Sequence, residues 1–111
     1  MTDTLFIGMP VYNGERNLAE AIDSLLTQSF TDFVLYISDD VSSDSTQTIC
    51  ETYAACDPRI VYHRQPKNLG MFLNFKFVLD KANAKYFMWA AQDDVREKSY
   101  LSTCVAKLDG E

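Results

Sequence analysis

The sequence of 111 residues is poor in the side chains that build several common kinds of site. Its single histidine, His63, leaves little from which to make a histidine-based metal site or a histidine-centred catalytic triad. Its three cysteines, Cys50, Cys56 and Cys104, are odd in number and follow no metal-ligand spacing. We therefore interpret them as free thiols in a reducing cytoplasm.

Basic residues and long apolar runs are also scarce. Ten Lys and Arg residues against sixteen Asp and Glu give a formal net charge of −6, and the basic residues form no run. This argues against binding to the phosphate backbone of nucleic acid. The first residues, Met1–Asp3, lack the features of a signal peptide, and no apolar run reaches membrane-spanning length. We expect a cytoplasmic protein, with contact at the inner face of a membrane left open.

Apolar runs and amphipathic patterns alternate along the chain, within the ordinary composition of a single globular domain or part of one. The predicted strands are Leu5–Met9, where Pro10 ends the strand, Phe33–Ser38, Ile60–His63 and Tyr86–Ala91. The predicted helices run from a cap at Asn13 to about Gln28, from Asp44 or Ser45 to about Ala55, from Met71 to about Ala82, and over about Lys98–Leu108. This alternation predicts a Rossmann-like, doubly wound α/β fold: a mostly parallel sheet of order 3-2-1-4 with helices on both faces.

Polar clusters follow each predicted strand, at the edge where such sheets bind ligands. Asp39-Asp40 follow the second strand and Asp93-Asp94 follow the fourth. Neighbouring carboxylates repel each other and resist burial, so we expect a bound group to offset that cost. A divalent cation or the donor groups of a nucleotide would do so.

The first two clusters suit a nucleoside. Tyr12 could stack on a base while backbone groups near Pro10 and Val11 bond its edge, and Asp40 could accept a hydrogen bond from the imide N–H of uracil. The alternative for the first cluster is a strand stop and a helix cap, and for the second a solvated loop. Asn74 could face the cleft or be exposed.

Asp93 and Asp94 suit the rest of a nucleotide diphosphate. One carboxylate is enough to fix a hard cation, because phosphates and waters complete its ligand shell, and the other carboxylate can take ribose hydroxyls. The alternative is an acidic turn that favours the N-terminus of the last helix. The aromatic residues Phe75, Phe77, Phe87 and Trp89 are expected in the core.

From Leu5 to about Lys107 the chain resembles the N-terminal, nucleotide-sugar-binding half of a family-two glycosyltransferase with the A-type fold. The segments that carry this resemblance occur in family order. They are Pro10–Gly14, Ala21–Phe30, Asp39-Asp40 with Ser42–Thr46, Asp57–Ile60, Asn68–Gly70 and Gln92–Asp94.

The resemblance implies a nucleotide site formed by Pro10, Tyr12, Asp40 and Asp93. Tyr12 resembles the residue that stacks on uracil, and Asp40 the carboxylate that accepts a hydrogen bond from the base. Asp93 resembles the ribose-binding acid of the Asp-X-Asp motif, and Asp94 the acid that binds a divalent cation, Mn²⁺ or Mg²⁺.

Two positions depart from the family pattern. Ala91 stands where the common form of the motif has an aspartate, which affects how Asp93 and Asp94 divide their roles. Val41 stands where the family has a glycine, which we expect to change the backbone of that loop.

The resemblance implies an inverting, metal-dependent transfer of a sugar from a nucleotide diphosphate, with UDP as the expected nucleotide. The acceptor would be a hydroxyl of a saccharide or lipid-linked molecule in cell-envelope polysaccharide biosynthesis. No residue matches the catalytic base, so residues 1–111 are expected to be the nucleotide-sugar-binding part of a truncated domain that lacks the acceptor half.

The alternative is a non-catalytic nucleotide-sugar-binding module. A receiver or flavodoxin-like domain is a third reading, but no aspartate follows the third strand. An uncovered sheet edge would favour a homodimer.

Overall fold

The computed structural model describes residues 4–110 and contains four strands that alternate with four helices. The strands are β1 (Leu5–Val11), β2 (Phe33–Asp39), β3 (Ile60–Arg64) and β4 (Tyr86–Trp89). The helices are α1 (Leu18–Leu26), α2 (Thr46–Cys56), α3 (Met71–Lys81) and α4 (Tyr100–Asp109). The predicted βαβαβαβα order is confirmed.

The strands form one parallel sheet in the order β3-β2-β1-β4, as predicted. The chain adds β2 and β3 on one side of β1 and then returns to add β4 on its other side. The strand order therefore reverses between β1 and β4. The crossover through α3 lies on the opposite face of the sheet from α1 and α2. Sheets of this kind bind ligands beyond the carboxyl ends of the strands, at the point where the order reverses.

Alternate residues of β1 explain how helices cover both faces of the sheet. Leu5, Ile7 and Met9 point into a buried cluster with side chains of α1, α2 and α4. On the opposite face, a Cβ added to Gly8 would lie 2.6 Å from Cγ1 of Val78. Glycine at this position therefore allows α3 to lie close against the sheet.

Pro10 does not end β1, because the strand continues to Val11. Pro10 pairs with Ser38 of β2, while the pairing of β1 with β4 stops at Gly8. The nitrogen of residue 10 points toward the β4 side, where no ladder remains, so the missing N–H of proline costs no sheet hydrogen bond.

The expectation that the aromatic residues of α3 and β4 form core is wrong for two of them. Phe75 is 39% exposed and Trp89 is 37% exposed, with their rings 4.9 Å apart. In the part of the chain that the structure describes, α3 alone covers this face of the sheet, which leaves the rings at its margin accessible. Among the same residues, no helix is long and apolar enough to cross a membrane.

Candidate functional site

A cavity of about 490 Å³ lies at the carboxyl ends of the strands. Its volume is within the usual range for small-molecule sites, about 300–1,000 Å³. The segments that follow β1, β2, β3 and β4 all contribute, so the predicted site residues Pro10, Tyr12 and Asp40 share one cavity. The lining residues are Pro10, Val11, Tyr12, Asp40, Asn68, Gly70, Met71, Asn74, Phe75, Ala90, Ala91 and Gln92.

The side chain of Gln92 holds the backbone of Tyr12 at the mouth of this cavity. The Tyr12 N–H donates to Oε1 of Gln92 at 2.9 Å, and Nε2 of Gln92 donates to the Tyr12 carbonyl at 3.2 Å. A Cβ on Gly14 would lie 2.8 Å from Cδ of Gln92, so a larger residue there would displace the Gln92 amide from Tyr12. The Tyr12 ring is left half exposed, while its main chain is fixed from two sides.

The loop after β1 is also joined to the loop after β2. Asn13 adopts a positive φ of 48°, and its amide oxygen accepts a hydrogen bond from the Ser43 N–H at 2.8 Å. The Gly14 N–H donates to Oγ1 of Thr46 at 2.9 Å. The predicted helix cap at Asn13 is therefore wrong: α1 begins at Leu18, because the Asn13 side chain is committed to a tertiary contact.

Asp39 is fully buried and bonded entirely within the chain. Its Oδ1 accepts hydrogen bonds from the N–H and hydroxyl of Ser42 at 2.9 and 2.6 Å. Its Oδ2 accepts from the Tyr62 hydroxyl at 2.6 Å and from Arg64 at 3.3 Å. Burial, and then the neighbouring Asp39 carboxylate, raise the pKa of Tyr62, which keeps that phenol as a donor. All of these partners are protein groups, so Asp39 stabilises the loop and does not contact a ligand.

Asp40 lines the cavity and also holds the segment that leads into α3. Its Oδ1 and Oδ2 accept hydrogen bonds from the N–H groups of Leu69 and Gly70 at 2.6 and 2.9 Å. Nδ2 of Asn68 donates to the Asp40 carbonyl at 2.9 Å. The expectation that a bound group must offset the Asp39-Asp40 pair is therefore wrong, since protein donors do so. Each Asp40 oxygen retains a further acceptor site.

Asn74 lies beneath the cavity in a buried polar network. Its Oδ1 accepts from the Ser38 hydroxyl at 2.6 Å, and its Nδ2 donates to the Ser38 carbonyl at 3.0 Å. Gln65 donates to the same hydroxyl at 3.0 Å. The network anchors the first turn of α3 to the end of β2 and so fixes the cavity wall that Met71 and Phe75 form.

Asp93 and Asp94 lie outside the lining of this cavity, in the turn directly after Gln92. The Asp94 N–H donates to the Ala91 carbonyl at 3.1 Å, and its Oδ2 forms an ion pair of 3.1 Å with Arg96. The last helix, α4, begins at Tyr100 and has no acidic residue in its first turn. The alternative reading of this pair as helix-terminal charge is therefore wrong.

The model of the family described as Glycosyl transferase family 2 matches residues 6–111. The chain belongs to glycosyl transferase family 2. The family assignment and the A-type fold predicted from the sequence are thereby confirmed, and the chain is a glycosyltransferase by resemblance.

This family 2 chain is similar to parts of longer proteins. It is 29% identical over 106 residues to the glycosyltransferase GlyA of Streptococcus pneumoniae, covering 96% of this chain and 15% of GlyA. It is 32% identical over 89 residues to the minor teichoic acid biosynthesis protein GgaB of Bacillus subtilis, covering 78% of this chain and 10% of GgaB. The structure of S. aureus TarS 1–349 in complex with UDP-GlcNAc is 26% identical, with a TM-score of 0.87 over 99% of this chain and 32% of that one. The chain thus spans a third or less of each.

The carboxylates of this family 2 chain fit a divalent cation only in part. Within residues 4–110, no three His, Cys, Asp or Glu side chains come together as a metal cage. A hard cation held by one or two carboxylates takes its other ligands from phosphate oxygens and water. The oxygen donors of Asp93 and Asp94 therefore suit a cation that binds together with a diphosphate, and Oδ2 of Asp94 is already paired with Arg96.

The contacts that Gln92, Tyr62 and Arg96 make in the family 2 site have no local signal in the sequence. Gln92 fixes Tyr12 from 80 positions away, Asp39 depends on Tyr62 of β3, and Arg96 pairs with Asp94. Only the position of Gln92, directly before two aspartates at a strand end, could have marked it as a candidate.

Proposed function

We propose that this domain binds a UDP-sugar and supplies the donor site of an inverting, metal-dependent glycosyltransferase. The observation that carries the proposal is the cavity at the sheet's carboxyl edge, which joins the exposed Tyr12 ring to the Asp40 carboxylate. The similarity to TarS, whose structure was determined with UDP-GlcNAc, supports a uridine nucleotide.

In this proposal the base occupies the cavity and the Tyr12 ring stacks on it. Backbone groups at Pro10 bond the base edge, and an Asp40 oxygen accepts the imide N–H of uracil through its remaining acceptor site. Cytosine has no such N–H, so the contact would favour UDP over CDP. The apolar wall of Val11, Met71 and Phe75 excludes water from the base and so strengthens the contact.

The sugar-diphosphate portion would extend from the cavity toward the turn after Gln92. Asp93 would bind the ribose hydroxyls, and Asp94 would hold Mn²⁺ or Mg²⁺. When bound, such a cation stabilises the negative charge that develops on the departing diphosphate. Gln92 keeps Tyr12 in place beside this turn. The base that deprotonates the acceptor hydroxyl would come from a part of the longer enzyme beyond these residues.

A non-catalytic nucleotide-sugar-binding module is the second candidate, because none of these 111 residues matches the catalytic base. A transfer assay distinguishes the two. Activity in a longer protein that contains this domain, with none in the chain alone, identifies the domain as a donor half. Binding without transfer in both supports the module.

Calorimetric titration with UDP, with Mn²⁺ and then with a chelator, tests the donor site. We expect metal-dependent binding, with CDP weaker than UDP. Tyr12→Ala should weaken binding by about 5- to 150-fold, since a base–aromatic stack contributes about 1–3 kcal/mol. Tyr12→Phe keeps the ring and serves as the matched control. Equal UDP affinity in Tyr12→Ala and Tyr12→Phe would contradict the stacking role of Tyr12. Equal UDP affinity of the wild type with Mn²⁺ and with a chelator would contradict the metal dependence of binding.

The acceptor, location and oligomeric state are further parts of the proposal. A saccharide or lipid-linked acceptor in cell-envelope polymer synthesis is supported by the similarity to GgaB, and would place the enzyme in the cytoplasm at the inner face of the membrane. The exposed side chains of Met71, Phe72 and Leu79 on α3 are consistent with the predicted homodimer. A monomer by light scattering at high concentration would contradict the dimer.

A further inference from the structure

The carboxylate proposed for the metal already has a cationic partner. Nη2 of Arg96 lies 3.1 Å from Oδ2 of Asp94, and the two side chains are 26% and 42% exposed. Both residues belong to the short segment between β4 and α4, so the pair forms within a single connection of the chain.

Arg96 is held in this position by contacts other than Asp94. Its backbone N–H donates to Oγ of Ser24 on α1 at 3.1 Å, and its guanidinium lies 4.7 Å from the centre of the Tyr100 ring. Within residues 4–110, its Nε is buried without a hydrogen-bond partner. The Tyr100 ring offers the guanidinium a favourable place whether or not Asp94 is paired.

We propose that Arg96 is the resident counter-ion of Asp94 and competes with a divalent cation for this carboxylate. The inference rests on the proposed function, in which Asp94 binds the metal. Arg96 places a positive charge 3.1 Å from Oδ2, and this charge repels a metal ion that binds the same carboxylate. Metal binding therefore either works against that repulsion or breaks the ion pair, and both weaken the affinity for the metal.

Titration of the chain with Mn²⁺, followed by the electron paramagnetic resonance signal of free Mn²⁺, tests the competition without any activity assay. In saturating UDP, Arg96→Met should bind Mn²⁺ about two- to fivefold more tightly than the wild type, which is the range expected for a partly exposed ion pair. Arg96→Lys keeps the charge and should remain close to the wild type. Lys107→Met removes one positive charge in the last turn of α4 and should leave the affinity unchanged.

The double variant Arg96→Met with Asp94→Asn tests whether the gain passes through Asp94. The gain should disappear, because the carboxylate for which the two cations compete is gone. An Mn²⁺ affinity of Arg96→Met no higher than that of Lys107→Met overturns the proposal. A weaker affinity also overturns it, since it would place Arg96 on the nucleotide.

The titration in saturating UDP distinguishes a failure of the role proposed for Arg96 from a failure of the proposed function. UDP binding with no metal effect in any variant overturns the role of Arg96 and leaves the nucleotide site standing. If UDP does not bind, the proposed function fails, and titration with Mn²⁺ alone then decides the role of Arg96: no gain for Arg96→Met overturns it. Equal thermal unfolding of the variants shows that the fold is intact.

Discussion

Oδ2 of Asp40 accepts a hydrogen bond from the N–H of Gly70 at 2.9 Å, so one carboxylate joins the loop after β2 to the start of α3. Gly70 has a positive φ of 89°, which allows its N–H to point at Asp40. The wall of the cavity and the stability of the fold therefore depend on the same side chain.

Asp40→Asn should lower both stability and the preference for UDP. The amide nitrogen would face an N–H donor, so we expect a loss of about 1–3 kcal/mol in the free energy of unfolding. The ratio of UDP to CDP affinity should fall because a charged acceptor is lost. Urea unfolding and calorimetry measure the two effects. Asp80→Asn, on the exposed side of α3, is the matched control, and an unchanged UDP/CDP ratio in Asp40→Asn would remove Asp40 from base recognition.

Val41→Gly should stabilise the fold. Val41 has a φ of 62°, a left-handed conformation that costs an L-residue about 1–2 kcal/mol and that is a clear outlier for a β-branched side chain. Glycine removes this strain, but it also makes the unfolded chain more flexible, which costs about 0.4–1 kcal/mol. The net gain should therefore be up to about 1.6 kcal/mol. Val41→Ala keeps Cβ and should gain less. A chemical denaturation midpoint lower for Val41→Gly than for the wild type would be the contrary result.

Alkylation should distinguish the cysteines by their burial. Burial, and then the charges of Asp39 and Glu51, raise the pKa of the Cys50 thiol to about 12. At mildly alkaline pH it therefore stays a thiol, which does not react with iodoacetamide, whereas Cys56 is exposed. Mass spectrometry of the native protein should show Cys56 modified first, with Cys50 modified only after unfolding. Equal rates at both positions would contradict the packing of α2 on the sheet.

Asp57 should contribute to stability at neutral pH and lose that contribution in acid. Hydrogen bonds from the Arg59 side chain hold the pKa of Asp57 below its ordinary value of 3.8. Asp57 in the folded state is therefore protonated at a lower pH than in the unfolded state. Its stabilisation of the fold is complete above the ordinary pKa and is lost as the pH falls through the folded pKa. The difference in unfolding free energy between wild type and Asp57→Asn should shrink in this acid range. A pH-independent difference would contradict the ion pair.

The sheet could be predicted from sequence because its signals are local and repeated. Each strand is an apolar run and each helix an amphipathic one, and the order 3-2-1-4 follows from a common way of winding such units. The residues at which the helices and strands begin and end were harder to predict. Asn13 has the composition of a helix cap, but its amide bonds Ser43 on another loop, and Pro10 continues β1 because β4 has already ended.

The site could be located from sequence, but its internal contacts could not. Asp39 and Asp40 are neighbours with the same chemistry, and both are buried. The sequence does not reveal that Asp39 bonds Tyr62 on β3 while Asp40 bonds the segment before α3. Val41 has a left-handed backbone, a conformation that favours glycine and that the valine itself does not predict. The pairing of Arg96 with Asp94 could not be predicted from the sequence. The guanidinium contacts Asp94 and the Tyr100 ring, and both contacts depend on how the β4–α4 connection folds.

Trp89 gives this domain a built-in optical probe. It is the sole tryptophan of the sequence, and its ring contacts Phe75, which lines the cavity, while the next two residues, Ala90 and Ala91, line it as well. Light emitted by the indole therefore comes from one known place beside the cavity. Occupancy of the cavity can be followed in unlabelled protein, in real time, by a change in the intensity or wavelength of that emission.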